Sequence, residues 1–223
     1  MLFVQWLNTL DDLLYELMSW LVFFPITLWR IIRHPLKTLR YAEAQLALEP
    51  AEQYRGTVSP PIMMILAILI SQALALAIDG TNSIVASKQG MAGLVGDNTT
   101  LLLLRIFLFG IFAVAAASWK VHRSDTALDR DSLKPPFYAQ CYLVAPFALL
   151  LGMGTVGATH YYGGVRTAGL LLAAATLVSY GLVQTLWLKA ELGQSLLRSF
   201  LDASIIMIIS IAAFLAVAFL FVS

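Results

Sequence analysis

Lys134-Pro135-Pro136-Phe137-Tyr138-Ala139-Gln140-Cys141-Tyr142-Leu143-Val144-Ala145-Pro146 joins the charged loop in the second half of the chain to the middle one of five apolar segments. Two adjacent prolines stiffen the start of a helix and pre-set its first turn. The residues that follow carry no charge until the next loop, so the stretch reads as the start of a membrane-spanning helix. Pro146, near the middle of that segment, removes one backbone hydrogen bond and predicts a kink unless a neighbour satisfies the freed carbonyl. Ser59-Pro60-Pro61 opens an earlier apolar segment in the same way.

Composition agrees with this reading. Hydrophobic residues make up 60% of the chain and charged residues 12%, with a mean hydropathy of +0.81, well above a soluble domain. The net charge of +1 excludes a strongly basic nucleic-acid binder or an acidic tail. Cys141 is the single cysteine, so neither an intramolecular disulfide framework nor a cysteine metal site is available.

Five segments are long enough to span, at about 61–78, 101–119, 137–158, 167–188 and 203–222, since a bilayer core needs about 20 helical residues. The expected fold is an all-α polytopic membrane protein, with an interfacial helical region over 1–60 and a five-helix domain over 61–223. Lys and Arg set the orientation. With the N-terminus inside, Arg30, Arg33, Lys37, Arg40, Arg55, Lys120, Arg123, Arg130, Lys134, Lys189 and Arg198 lie inside, against Lys88 and Arg166 outside and Arg105 within a span. That bias predicts a cytoplasmic N-terminus and an outward C-terminus.

Residues 1–24 lack the basic start and unbroken apolar core of a cleaved signal, because Asp11, Asp12 and Glu16 interrupt them. Phe3, Leu7, Leu10, Leu14, Leu17, Leu21 and Phe24 recur at helical spacing opposite Gln5, Asn8, Asp12, Glu16 and Ser19. This predicts an amphipathic interfacial helix packed under the bundle, with Trp6 and Trp20 at headgroup depth. A kinked extra span over 13–32, through Pro25, is the alternative. Pro25 suits the first turn of a new helix, which carries the basic segment Arg30, Arg33, His34, Lys37 and Arg40. These cations fix orientation; the functional alternative is contact with lipid headgroups or a partner, roughly 1 kcal/mol per cation near an anionic leaflet. Glu43, Glu49 and Glu52 are available to pair with them.

Polar groups inside spans are costly and mark candidate sites. Arg105 lies about 7 Å into its span, and the expected pairing is with Asp79 or Gln72. The alternative role for Arg105 is an outward anion-contact site. Gln140, Thr176, Ser179 and Gln184 are expected to glue helices together. Gly152, Gly154 and Gly157 permit close helix approach, His160 and its neighbouring tyrosines form a short outer loop, and Asn98-Thr99-Thr100 matches a glycosylation acceptor after a long polar loop.

The five-span layout, the quoted stretch with its mid-span proline, and Trp187-Leu188-Lys189-Ala190-Glu191-Leu192-Gly193-Gln194-Ser195 before a last apolar helix resemble the Ypt-interacting-protein (YIP) family over about residues 60–222. The resemblance implies a five-helix membrane domain. For eukaryotic members it implies vesicle trafficking through small-GTPase and partner binding, and for bacterial ones inner-membrane proteins labelled permease-like. The N-terminal region here lacks the long polar tail of the eukaryotic members, which points to the bacterial type and a bacterial inner membrane.

An enzyme is not expected, because the sequence holds no paired-carboxylate dyad, nucleophile elbow, phosphate-cradling loop or metal cluster, and no cofactor is implied. The favoured reading is a scaffold or accessory subunit acting through its cytoplasmic face, in contact with membrane lipids and a protein partner. A small permease or channel is the alternative, and an immunity-type protein against a membrane-targeting toxin is a second. Homo-oligomerisation stays open.

Overall fold

The computed structural model describes residues 2–79, 98–160 and 162–222, which form seven helices and no strand. They are α1 (Leu2–Arg33), α2 (Pro35–Gln45), α3 (Pro60–Asp79), α4 (Asn98–Arg123), α5 (Arg130–His160), α6 (Gly164–Leu192) and α7 (Leu196–Val222). Six stretches are long and apolar enough to cross a membrane: the five expected spans and Leu14–Arg33 within α1. The architecture is the all-α membrane protein that the sequence predicts, with one more qualifying helix. Pro25 is the reason. It does not start a new helix, since α1 runs through it, and the apolar residues on its two sides therefore join into one run. The lost hydrogen bond to the Leu21 carbonyl is a loss that helices in lipid commonly absorb.

The true break comes at His34, which has φ −138° and ψ 61° and precedes Pro35 in the first turn of α2. The Thr38 hydroxyl lies 2.9 Å from the His34 carbonyl and 3.2 Å from that of Arg30, a side-chain donor that ties the two sides of the break together. Residues 46–59 then turn back under α2. Tyr54, at φ 56°, sits in the left-handed region. Three contacts hold it there: its hydroxyl donates to the Ala42 carbonyl at 2.8 Å, its N–H to Gln45 Oε1 at 2.8 Å, and its ring stacks on Tyr138.

The quoted stretch organises the bundle. α5 packs against α2, α3, α4 and α6, and residues 139 and 141–149, Pro146 among them, are all buried. Its helix starts earlier than the sequence suggests, at Arg130, so Pro135, Pro136 and Pro146 all lie inside it. The start is fixed by a reciprocal cap: Asp129 Oδ1 accepts from the Asp131 and Ser132 N–H groups, and Ser132 Oγ accepts from the Asp129 N–H. The backbone bonds that hold its Asp129 carboxylate keep its pKa below the usual range.

α5 and α6 meet through glycine. A Cβ on Gly169 would lie 2.5 Å from the Ala158 nitrogen and 2.6 Å from the Gly157 carbonyl carbon, and one on Gly154 would lie 2.8 Å from the Ala173 nitrogen. Only a hydrogen fits there, which is how small residues let membrane helices approach. Gly152 likewise admits the Ser71 hydroxyl of α3. The centre of the bundle is filled by rings from four helices: Phe147 stacks on Tyr180 at 4.4 Å and meets Phe112 at 5.3 Å and Phe109 at 5.9 Å, with Phe214 beyond. Leu171, Val178, Leu182, Leu197 and Ile208 remain exposed on α6 and α7, the surface that contacts lipid.

α1 is turned the other way from expectation. Glu16, Ser19, Trp20 and Phe23 line a groove against residues 50–59 and Tyr138, while Leu14, Leu17 and Leu21 are 51%, 41% and 71% exposed. These three leucines face outward, where lipid receives them, while Trp20, Phe23, Phe24 and Leu28 pack against the core.

Candidate functional site

The charged end of the bundle carries the densest polar chemistry among the described residues. Lys120, in the last turn of α4, donates to Glu43 of α2 at 2.9 Å and to Glu191 of α6 at 2.8 Å, and its ammonium stands 5.2 Å over the Trp187 ring. Arg40 reaches Glu191 at 3.7 Å. A second pair lies beside it on α7. Asp202 is 1% exposed, accepts from Arg123 at 2.7 Å and from Gln194 at 3.0 Å, and Arg123 covers the Trp119 ring. Four helices are thereby tied at one level. Burial raises the pKa of the Glu43 carboxyl above its ordinary value, against the opposing pull of Lys120.

This arrangement corrects several sequence expectations. Glu43 pairs with Lys120 and not with the basic segment, and Glu52 pairs with Arg55. Asp202 lies inside the last span, since α7 begins at Leu196 and not near 203. Its signal in the sequence was a carboxylate between Leu201 and Ala203, a position too costly in lipid without a partner. The partner came from a helix 79 residues away in sequence.

Of the basic segment, Arg40 is drawn into the knot. Arg30 donates to the Gly56 carbonyl at 3.2 Å, and Arg33 lies 5.8 Å over the Trp29 ring. Arg33, His34 and Lys37 are exposed, and no carboxylate among the described residues pairs with Arg30, Arg33 or Lys37. The Thr27 hydroxyl accepts from the Val58 N–H, and the Tyr142 hydroxyl donates to the Val58 carbonyl at 2.7 Å. These bonds seat α1 and the start of α3 on α5.

Of the expected site near the far end, Arg105 and Gln72 are not brought together. Arg105 is half-buried on α4 and makes no hydrogen bond or ion pair among the described residues, and Gln72 is buried with both amide atoms unpartnered. α3 and α4 touch little because α5 lies between them, which separates the two side chains. Asp79 closes α3, and its side chain lies outside the described residues, as do the polar loop over 80–97 and Tyr161. Gln140 and Gln184 are likewise buried without hydrogen-bond partners, in place of the expected glue between helices. Thr176 and Ser179 bond to their own helix, to the carbonyls of Leu172 and Ala175. No group of three metal-ligating side chains occurs among the described residues. Pro146 lines a lateral cleft with Ile31, Ile32, Phe147, Ser179 and Tyr180.

No protein-family model matches the chain, and neither a curated protein nor a solved structure matches it significantly.

Proposed function

We propose that this protein is a membrane scaffold or accessory subunit that presents its charged end to a protein partner on the cytoplasmic side of a bacterial inner membrane. One observation carries the reading. Arg30, Arg33 and Lys37 stand without carboxylate partners among the described residues, on an end that Lys120, Glu43, Glu191, Arg123 and Asp202 hold rigid. A fixed scaffold with unpaired exposed cations favours recognition of an acidic surface. The rings packed through the centre of the bundle favour a structural role over a conduit. The excess of Lys and Arg at this end supports its cytoplasmic placement, with the C-terminus outside. If Leu14–Arg33 crosses the bilayer, the N-terminus lies on the C-terminal side. The YIP-like pattern over residues 60–222 is in keeping with partner recognition at the membrane, and no catalytic role is proposed.

The test is purification of the tagged protein from its native membrane in mild detergent, with mass spectrometry of what stays bound. A stoichiometric protein retained by the wild type and lost from Arg30→Gln/Arg33→Gln/Lys37→Gln supports the reading; recovery of the chain alone overturns it. A second reading, a small permease, is favoured by the unpartnered amides of Gln72, Gln140 and Gln184 inside the bundle. Solute flux into liposomes that Gln140→Leu abolishes would establish it.

A further inference from the structure

Three places carry chemistry that the reading above leaves unexplained. The groove of about 630 Å³ between α1 and residues 50–59 holds both Glu16 and Arg55 with five aromatic side chains, a mixed lining that selects no ligand class. The unpartnered glutamines belong to the permease reading above. The lateral cleft beside Pro146 is different, because its walls, its depth and the cations that flank Pro35 in sequence agree on one occupant.

The cleft has a volume of about 360 Å³, within the range of small-molecule sites. α1 and α2 supply Ile31, Ile32 and Pro35, and the rest of the lining comes from the middle of α5 and of α6. Of its hydroxyls, Thr176 and Ser179 are satisfied by their own backbone and that of Tyr180 is buried without a partner, so the rest of the lining presents hydrocarbon. Ala175, Ser179 and Ile32 are exposed along it, which opens it sideways to the lipid. Leu143 lies seven residues beyond Pro136 on α5, about 10 Å along the helix axis, so the cleft runs at acyl-chain depth. Below it lies positive charge. Arg33 and Lys37 flank Pro35 in sequence, both exposed and without carboxylate partners among the described residues. Arg40, one turn further along α2, is anchored to Glu191 at the level of the ionic knot.

We infer that this cleft is a binding site for an anionic diacyl phospholipid, with an acyl chain between α1, α5 and α6 and its phosphate on Arg33 and Lys37. The depth order is that of a lipid: hydrocarbon inward, phosphate toward the charged end. A cation facing the bilayer is costly unless it reaches water or an anion; a bound phosphate supplies the anion where no carboxylate does. The site shares Arg33 and Lys37 with the partner surface proposed above. A lipid seated there would form part of that surface, and in this respect the inference rests on that reading.

Native mass spectrometry of the full chain in mild detergent tests the site with no protein partner present, so its outcome is separate from that of partner capture. The probes are a phosphatidylglycerol and a phosphatidylcholine with identical chains. The wild type should retain phosphatidylglycerol in preference. Arg33→Gln/Lys37→Gln should lower that preference roughly thirtyfold, at about tenfold or less per cation, and Arg33→Lys/Lys37→Arg should restore most of it. Ser179→Trp and Ala175→Trp, at exposed positions on the cleft wall, should each reduce retention of both lipids while thermal unfolding stays that of the wild type. Equal retention of the two lipids by the wild type would overturn the inference. So would undiminished preference in the double glutamine variant, undiminished retention in a folded tryptophan variant, or a lipid-free dimer.

Discussion

The two ends of α6 are held by opposite means. Near the far end, Gly154, Gly157 and Gly169 bring backbone onto backbone with no side chain between. At the charged end long side chains make the tie instead, with Lys120 of α4 reaching Glu191 of α6 and Glu43 of α2. A seam of small residues tolerates no addition. An ionic knot tolerates joint removal far better than the loss of one member, because desolvation is already spent on the charges left behind.

The largest expected effect is at the seam. Gly169→Leu drives a side chain into the Gly157 and Ala158 backbone and should cost about 3 kcal/mol, the upper end of overpacking, read as unfolding in detergent of rising SDS fraction. Lys120→Met should follow. It strands two carboxylates that are only 20% and 17% exposed, for about 2 kcal/mol after allowance for that residual exposure. Lys120→Met/Glu43→Gln/Glu191→Gln should recover most of the loss, and a triple variant no better than the single one would break the comparison. Glu43→Gln alone should be milder than Lys120→Met. Because the Glu43 pKa is raised in the fold, the folded state binds that proton more tightly than the unfolded chain, so Glu43 favours folding as pH falls and opposes it as pH rises through the raised value.

Between the two ends, Tyr142→Phe removes the donor to the Val58 carbonyl and should cost about 1.5 kcal/mol, with α3 the first helix to gain amide exchange. The smallest effect is expected at Asp129, which is fully exposed. Its depressed pKa means that the cap contributes above the ordinary Asp value and is lost as pH falls through the folded one. A shallow acid-side fall in thermal stability, absent in Asp129→Asn, would confirm it.

Much of this was legible beforehand. Pro60-Pro61 marks the start of α3, and Gly152, Gly154 and Gly157 lie at close contacts, because glycine and proline act through local backbone geometry. The sixth qualifying stretch matches the alternative span over 13–32, which came second because of Pro25, whose consequence depends on what neighbours do with one freed carbonyl. The outward turn of Leu14, Leu17 and Leu21 was hidden for a related reason: in lipid an apolar stripe has two acceptable destinations, and period alone does not choose between them. The knot was least legible. Lys120, Glu43, Glu191, Arg123 and Asp202 are 71 to 79 residues apart in their pairings, and a charge count by loop assigns each to a side without assigning it a partner.

By itself the sequence determined that this is an all-helical membrane protein, where its five expected spans begin to within about two turns, and which glycines lie against neighbouring helices. Those properties follow from hydrophobic length and backbone chemistry, both local. Tertiary structure alone decided that Arg105 and Gln72 do not pair, that Lys120 gathers two carboxylates, and that a lateral cleft opens beside Pro146 above Arg33 and Lys37. Each of these depends on which helix lies between which others, and α5, buried at the centre, settles that order by packing.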